Sequence, residues 1–399
     1  MWKSAVFLLT VASIAAAAEV KSRRVRDSST SIFNPFPFLQ IVRFANDECA
    51  AESASSGTCY TAKECDDLKG HIQGDCANGY GSCCVLTYSC RETMRHNLSY
   101  FVPPSYPEKE EEANVCPLKI AFEATICQIR LDFERFDILG PKGGDCVDDL
   151  FVVLGGNVNH RVPVICGQNA NQHIYVNVDT VEGPLELQMI TGIARYSRDW
   201  RIKVSMVPCD SPFKAPNGCL QFFTGGVGNF RSFNFNQPDT NRSGYLNSVD
   251  YAICLRRERD MCYVTYSVGR GTGNSENSPG KKDNAAASTP TTTPRGPRDN
   301  SLIRSNSFGI ATSTDKSMDF QSDSKGGSSK CTGDYLAIFG LERFCGGAFS
   351  LTSGSKENQP ITVKDSGPLM VLFKSDKTFN GRGFDIDFVQ GPCMPITFF

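Results

Sequence analysis

Cysteine is the residue type that offers this chain the most chemistry. The 399 residues include 18 cysteines, an even number far above the usage of a cytosolic protein. In an oxidising compartment cysteines pair as disulfides, whereas a thiol left over can serve as a nucleophile. The count therefore predicts a chain that folds outside the cytosol and uses its cysteines mainly as disulfides.

The N-terminus indicates the same compartment. Lys3 gives a short basic start, residues 5–18 are almost entirely apolar or small, and four alanines precede Glu19. This pattern predicts a secreted protein with a signal peptide over residues 1–18, followed by a flexible basic segment over 19–48. The apolar run is too short for a membrane anchor, which needs about 20 residues, so no membrane span is expected.

Length and composition bound the remaining possibilities. At roughly 100–200 residues per domain, the chain has room for two or three domains. A hydrophobic fraction of 40% excludes wholesale disorder, and a formal net charge of -2 excludes the strongly basic character of a nucleic-acid binder.

The cysteines fall into three groups of six. The first group lies within 36 residues, a segment too small to bury an adequate core without covalent staples. The groups are Cys49, Cys59, Cys65, Cys76, Cys83 and Cys84; Cys90, Cys116, Cys127, Cys146, Cys166 and Cys209; and Cys219, Cys254, Cys262, Cys331, Cys345 and Cys393.

The second and third groups indicate one unit that is repeated. Matching stretches begin at Cys127 and Cys262, at Cys146 and Cys331, and at Cys166 and Cys345. They are short, rich in β-branched or aromatic residues, and bounded by Gly, Pro and Asn, which predicts strands. Residues 128–133 alternate polar and apolar, so Ile129, Leu131 and Phe133 should point inward. Residues 113–126 would also allow a helix, but few segments show a helical apolar stripe, and we predict an all-β fold.

The two copies differ by an insert. Cys127 and Cys146 are 19 residues apart, whereas Cys262 and Cys331 are 69 apart. The extra residues, at about 269–330, are rich in Ser, Thr, Gly, Asn and Pro, a composition that cannot offset its own ordering entropy by burial. We expect a mobile surface loop, with a protease-sensitive or recognition loop as the alternative.

The repeated unit resembles the CUB domain, an extracellular β-sandwich of complement and developmental proteases. The resemblance lies in the spacing of Cys90 and Cys116 and in the stretches Cys146-Val-Asp-Asp and Cys331-Thr-Gly-Asp-Tyr-Leu. It implies two CUB-like, disulfide-stapled sandwiches, over residues 90–209 and 210–393. The implied bonds are Cys90–Cys116, Cys146–Cys166, Cys219–Cys254 and Cys331–Cys345. The cysteines left over also repeat, so we expect Cys127–Cys209 and Cys262–Cys393.

The first group resembles the clip domain of arthropod protease cascades. Gly57-Thr58-Cys59 and the terminal pair Cys83-Cys84 carry the resemblance. It implies a small clip-like module over 49–89 with the bonds Cys49–Cys83, Cys59–Cys76 and Cys65–Cys84. In this order of modules, the chain is similar to an arthropod secreted CUB-domain protein.

The CUB resemblance also suggests a metal. Many CUB domains bind Ca²⁺ through three acidic residues, and oxygen ligands suit this ion. In the second copy it implies Asp334 and Asp376, with Asp319 or Asp323 as the third ligand. In the first copy only Asp149 matches, which predicts a lost site. The alternative role of such aspartates is to cap turns, and no other cofactor is implied.

A serine protease is the catalytic alternative, because clip and CUB modules often flank one. Residues 364–368, Lys-Asp-Ser-Gly-Pro, faintly resemble a serine-nucleophile loop, but that chemistry needs a histidine base oriented by a carboxylate. None of the four histidines lies in such a motif, the three modules leave no room for a catalytic domain, and no His-Glu-x-x-His is present. We expect no enzyme and interpret residues 365–367 as a turn.

The remaining hypothesis is a non-catalytic extracellular adaptor that binds a protein or glycan partner through loops on a rigid scaffold. Asn97 and Asn241 begin N-glycosylation sequons, so glycans should shield one end of each sandwich. Aromatic candidates for partner contact, with core packing as their alternative, are Phe222, Phe223, Phe230 and Phe233. Other roles left open are a regulator of a protease cascade that acts through the clip-like module and a structural component of matrix or cuticle.

Overall fold

The computed structural model describes residues 42–52, 56–159, 161–235, 242, 244–269, 307–312, 325–326, 331–378 and 380–393. Several expectations concern residues outside these ranges: the signal peptide, the basic segment up to residue 41, the sequon residue Asn241, the acidic residues Asp319 and Asp323, and most of the insert. Residues 44–399 form one compact unit, and residues 1–43 a separate one of which only 42 and 43 are described.

The expectation of an all-β fold is confirmed, and the ambiguous segment 113–126 carries a strand. Among the described residues, two short segments are helical, α1 at Ala62–Asp67 and a 3₁₀ turn at Ala77–Gly79. No helix in the described ranges is long and apolar enough to cross a membrane. In chain order the strands are β1 Glu48–Ala50, β2 Ser56–Tyr60, β3 His71–Cys76, β4 Gly81–Val85, β5 Thr87–Tyr88, β6 Thr93–Met94, β7 Ser99–Phe101, β8 Asn114–Ile120, β9 Ile126–Asp137, β10 Leu150–Leu154, β11 Gln172–Asn177, β12 Leu185–Thr191, β13 Asp199–Pro208, β14 Cys219–Phe223, β15 Val227–Arg231, β16 Asp250–Leu255, β17 Met261–Val268, β18 Phe308–Gly309, β19 Lys325–Gly326, β20 Tyr335–Ile338, β21 Arg343–Cys345, β22 Ile361–Val363, β23 Leu369–Lys374 and β24 Gly383–Pro392.

Residues 48–85, called the N-terminal module below, form a four-stranded antiparallel sheet in the order β1-β2-β4-β3. α1 starts with a capping box, because Thr61 Oγ1 accepts the Glu64 N–H (3.2 Å) while the Glu64 carboxylate accepts the Thr61 N–H (2.9 Å). Cysteine side chains make up much of the buried interior. Disulfides therefore take the place of a large apolar core.

Residues 87–208 form the first sandwich, with sheets in the orders β10-β12-β8-β6 and β11-β9-β13-β7-β5. Ile129, Leu131 and Phe133 are fully buried on β9, as their alternation with polar residues predicts. The N-terminal module packs on this sandwich through Tyr100, whose hydroxyl donates to the Ser56 carbonyl oxygen (2.8 Å) and accepts the Ser56 N–H (3.0 Å).

Residues 219–392 form the second sandwich. Its sheets have the orders β14-β16-β23-β20-β21-β19 and β15-β24-β17-β22, and β18 pairs with β24. Val264, Tyr266, Phe373, Phe384 and Ile386 are buried between the sheets. Apolar side chains of both sandwiches join in one continuous cluster, so the two copies of the repeat pack as a single body.

All eighteen cysteines are paired in the structure. Each bond joins cysteines of one block, either the N-terminal module or one of the sandwiches, and the paired Cα atoms lie 4.5–5.9 Å apart. The bonds are Cys49–Cys83, Cys59–Cys76, Cys65–Cys84, Cys90–Cys116, Cys127–Cys209, Cys146–Cys166, Cys219–Cys254, Cys262–Cys393 and Cys331–Cys345.

Peptide mapping of the protein under non-reducing conditions tests this pairing. We expect nine bonds, three in each block, because the paired Cα distances suit unstrained disulfides. Adding N-glycanase in a parallel digest separates glycopeptides from disulfide-linked peptides. A bond between two blocks, or a cysteine alkylated without reduction, would contradict the assignment.

Polar side chains join the two sandwiches at the edge where β11 meets β14. His173 Nε2 lies 2.9 Å from the Phe222 carbonyl oxygen and 3.2 Å from the Phe222 backbone nitrogen. The Gln128 amide group exchanges two hydrogen bonds, of 2.9 and 2.8 Å, with the backbone of Ala215. Because these contacts pair buried side chains with backbone groups, they hold the sandwiches in one orientation.

Burial at this junction makes the stability of the fold depend on the protonation of His173. Burial disfavours the charged imidazole and lowers the pKa of His173 to about 4, and the Arg130 guanidinium acts in the same direction. Asp132 and the Phe222 carbonyl oppose the shift. Because the folded-state pKa lies below the unfolded value of about 6.5, protonation favours the unfolded state.

We expect the protein to lose stability as pH falls from about 6.5 towards 4, with His173 contributing about 2–3 kcal/mol of that loss. His173→Gln keeps a neutral polar group at the junction and should remove this part of the pH dependence. Urea unfolding of both proteins at pH 7 and pH 4.5 measures it. His71→Gln, at an exposed position, is the control; equal pH dependence in all three proteins would contradict the assignment.

Candidate functional site

A buried ion pair organises one end of the first sandwich. Asp149, just before β10, and Arg198, just before β13, are both fully buried. Arg198 Nε lies 2.7 Å from Asp149 Oδ2 and Nη2 lies 3.0 Å from Oδ1, which is a two-point contact. Asp149 also accepts the backbone N–H groups of Leu139 and Gly192, each at 2.8 Å.

The other donors of Arg198 are used as well. They reach the carbonyl oxygens of Gly192 (2.8 Å), Ala194 (3.0 Å), Tyr196 (3.2 Å) and Glu111 (3.3 Å). A buried charge is tolerated when it is paired and its remaining hydrogen-bonding groups are satisfied. The pair therefore anchors the loop 192–198 and the segment at Glu111 to the start of β10. These groups are called the Asp149 cluster below.

In the second sandwich the equivalent buried carboxylate has different partners. Asp334, the counterpart of Asp149 before β20, is buried and accepts hydrogen bonds from the Tyr245 hydroxyl and from the Asp376 backbone N–H (2.5 Å). The Ala311 N–H in turn donates to the Tyr245 hydroxyl oxygen (3.0 Å). Because no cation pairs with Asp334 among the described residues, burial raises the pKa of its carboxyl group to about 6.

Asp376 is bonded to Asp334 through its backbone N–H, but its carboxylate accepts hydrogen bonds within its own turn. Its Oδ1 accepts the Thr378 N–H (2.8 Å) and the Thr378 hydroxyl (2.7 Å), which is the capping role considered above. Within the described ranges, no three His, Cys, Asp or Glu side chains form a group that could hold a metal ion. Asp334 and Asp376 are two of the three expected ligands, and the expectation of calcium binding with Asp319 or Asp323 as third ligand stays a prediction.

Apolar side chains project into solvent around the Asp149 cluster. Ile193 is 96% exposed and Val147 is 54% exposed. The backbone next to each of them is in close contact, at Gly192 and Asp148. A Cβ atom placed on Gly192 would lie only 2.8 Å from the Asp148 carbonyl oxygen. The backbone of both loops is thus closely packed, whereas these two side chains remain largely exposed to water.

The other candidates from the sequence lie elsewhere. Phe222, Phe230 and Phe233 are buried, and Phe223 packs edge-on against His173 with ring centroids 4.7 Å apart. Core and junction packing therefore accounts for these aromatic side chains. Asp365 Oδ1 accepts the Gly367 N–H (3.0 Å) just before β23, as expected for a turn.

Sequence reasoning missed Arg198. An arginine between Ser197 and Asp199 looks like a solvated charge, and only its partner, 49 residues away along the chain, makes it a structural residue. In the first copy an arginine, and not a set of further acidic residues, lies beside Asp149 and neutralises its carboxylate.

Removing the guanidinium should leave a buried, unpaired carboxylate. We expect Arg198→Met to lower the free energy of unfolding by about 3–5 kcal/mol. Arg135→Ala, which breaks the partly exposed Arg135–Asp199 pair, should cost less than about 1 kcal/mol. Urea unfolding followed by tryptophan fluorescence measures both, since Trp200 is two residues from Arg198.

The double variant Arg198→Met/Asp149→Leu separates charge from packing. It removes both charges and should recover a large part of the stability that the single variant loses. If the single variant costs no more than Arg135→Ala, Arg198 does not have the role assigned here.

Comparison with known proteins concerns mainly the second sandwich. The family model described as "Animal CUB domain" matches residues 216–391, which is the span of the second sandwich. No curated protein matches the chain. CUB domains are extracellular modules that generally mediate protein–protein interactions, and residues 216–391 are similar to this class of module.

Several solved structures have low similarity to the chain. The CUB1-EGF-CUB2 domains of rat MASP-1 are 13% identical, with a TM-score of 0.25, over 76% of this chain and 99% of that chain. The MASP-1 CUB2 domain bound to Ca²⁺ is 18% identical, with a TM-score of 0.24, over 29% of this chain and 98% of that chain. The extracellular region of zebrafish Gpr126/Adgrg6 is 12% identical, with a TM-score of 0.26, over 77% of this chain and 34% of that chain. At TM-scores near 0.25, these similarities carry no argument about this chain.

Proposed function

We propose that this chain is a secreted, non-catalytic adaptor that binds an extracellular protein through the loops around the Asp149 cluster. The observation that carries the proposal is the exposure of Val147 and Ile193 on loops that a buried ion pair holds in place. Apolar side chains that remain exposed on rigid loops are a common feature of protein-binding surfaces.

The energetics favour a protein partner over a small solute. A side chain such as Ile193 contributes to binding when a partner removes it from water, at about 25 cal/mol per Å² of apolar surface. Loops that are already anchored lose little conformational entropy on binding. The Asp149 cluster provides this anchoring at Ile193, because it holds the backbone at Gly192 and at Ala194 on either side.

The chemistry of the chain supports a non-catalytic role. All eighteen cysteines are in disulfides, so none offers a thiol nucleophile. The most strongly perturbed histidine, His173, is buried, and its Nε2 is engaged by the Phe222 backbone. The family match over residues 216–391 points in the same direction, since CUB domains are binding modules.

A protease-cascade regulator acting through the clip-like module is the second candidate. The observation in its favour is that the N-terminal module also exposes apolar side chains, Tyr80 (60%) and Ile72 (51%). The two surfaces lie on different blocks of the chain and can be altered separately.

Variants of the intact secreted protein test the proposal. Wild type and variants are immobilised, exposed to extracellular fluid of the source animal, and the retained proteins are quantified by mass spectrometry. Ile193→Asp and Val147→Asp should each reduce retention of the same protein at least tenfold, because a charge would be buried at the interface. Val158→Asp, at a 77% exposed position on another loop, should leave it unchanged.

The outcomes separate the candidates. Loss of a protease zymogen with Tyr80→Ser, and not with Ile193→Asp, would favour the regulator. Retention that no substitution changes would overturn the proposed surface.

A further inference from the structure

A groove of about 650 Å³ lies on the outer face of the five-stranded sheet of the first sandwich. Its floor is formed by the outward side chains of β9, β11 and β13, including Arg130, Asp132 and Tyr175. Glu48 of the N-terminal module lines one part of the groove, and the turn before Phe213 lines another. The groove therefore combines the first sandwich, the N-terminal module and the linker that follows β13.

The charges in this groove are already matched. Arg130 forms a two-point contact with Asp132 (2.6 and 2.9 Å) and donates to the Tyr175 hydroxyl oxygen (3.0 Å). Lys203 pairs with Glu48 at 2.7 Å. Such a surface has little net charge with which to select an ionic ligand, but its oriented donors, acceptors and aromatic rings suit a neutral, hydroxyl-rich one.

Asn97, the first residue of a sequon, also lines the groove. Its side-chain Oδ1 accepts two backbone N–H groups, from Leu98 (2.9 Å) and from Met206 on β13 (2.7 Å). Both hydrogen bonds use the oxygen, so a sugar on Nδ2 would disturb neither. The same two bonds fix the plane of the amide, and with it the direction in which a glycan leaves the backbone.

Phe213 supplies an aromatic surface at the groove. The ring is 62% exposed, and the turn that carries it is held by a hydrogen bond from the Phe213 N–H to Ser211 Oγ (3.2 Å). An exposed phenyl ring on a fixed turn is an apolar surface on which the C–H face of a pyranose can pack.

We propose that the N-linked glycan of Asn97 lies in this groove and covers it, in contact with Phe213. Attachment forms an N-glycosidic bond from Asn97 Nδ2 to the anomeric carbon of a lipid-pyrophosphate-linked oligosaccharide. The lipid pyrophosphate leaves, Nδ2 loses one proton, and no redox change occurs. The glycan then acts as an internal ligand that shields this face of the first sandwich, and the groove is closed to outside partners. This inference is independent of the partner surface around Asp149.

The first test compares release of glycans from the folded protein. Glycopeptide mass spectrometry establishes occupancy at Asn97, and N-glycanase is then added under native conditions. The glycan at Asn97 should be released at least tenfold more slowly than from the denatured chain. Phe213→Ala should accelerate native release, and Phe339→Ala, at a 47% exposed phenylalanine of the second sandwich, should not.

The second test uses hydrogen exchange of the secreted protein. Asn97→Asp keeps an oxygen acceptor for both backbone N–H groups but removes the attachment site. We expect faster exchange over residues 205–213 in this variant than in the glycosylated wild type. Absence of a glycan at Asn97, release from the folded protein as fast as from the denatured chain, or exchange that Asn97→Asp leaves unchanged would each overturn the proposal.

Discussion

A carboxylate taken fully out of water must find partners for its charge and its lone pairs, and the first sandwich is organised around this constraint. Asp149 receives two backbone N–H groups and a two-point contact from Arg198. Arg198 distributes its other donors over carbonyl oxygens of the same loop and of the segment at Glu111. A single buried pair thereby sets the loop conformation at one end of the sandwich, including the exposed position of Ile193. The proposed partner surface depends on it.

The two copies of the repeat meet this constraint with different chemistry. Asp334 has a tyrosine hydroxyl and a backbone N–H in place of a guanidinium. These partners satisfy the lone pairs of the carboxylate but not its charge, and the pKa of Asp334 is raised to about 6 by burial. The equivalent turn can therefore be held by an ion pair in one sandwich and by hydrogen bonds in the other, and equivalent aspartates do not imply a common ligand.

The junctions between blocks create features that no block has alone. His173 is buried because β14 of the second sandwich covers it. The groove beside it combines the outer sheet of the first sandwich, Glu48 of the N-terminal module and the turn before Phe213. The packing of the second sandwich on the first lowers the pKa of His173. The packing of the N-terminal module and of the linker on the same sheet forms the proposed glycan groove.

Local patterns in the sequence determined the kind of structure. The number and grouping of the cysteines indicated three stapled blocks, and the alternation at Ile129, Leu131 and Phe133 indicated a strand with that face buried, because a strand places every second side chain on one side. The Asn97 sequon was also visible as a motif. Only the tertiary structure decided that Arg198 pairs with Asp149, that the Phe222 backbone meets His173, and that Asn97 borders a groove. These contacts join residues that are far apart along the chain, and their energies depend on burial, which is a property of the packed molecule rather than of any local stretch of sequence.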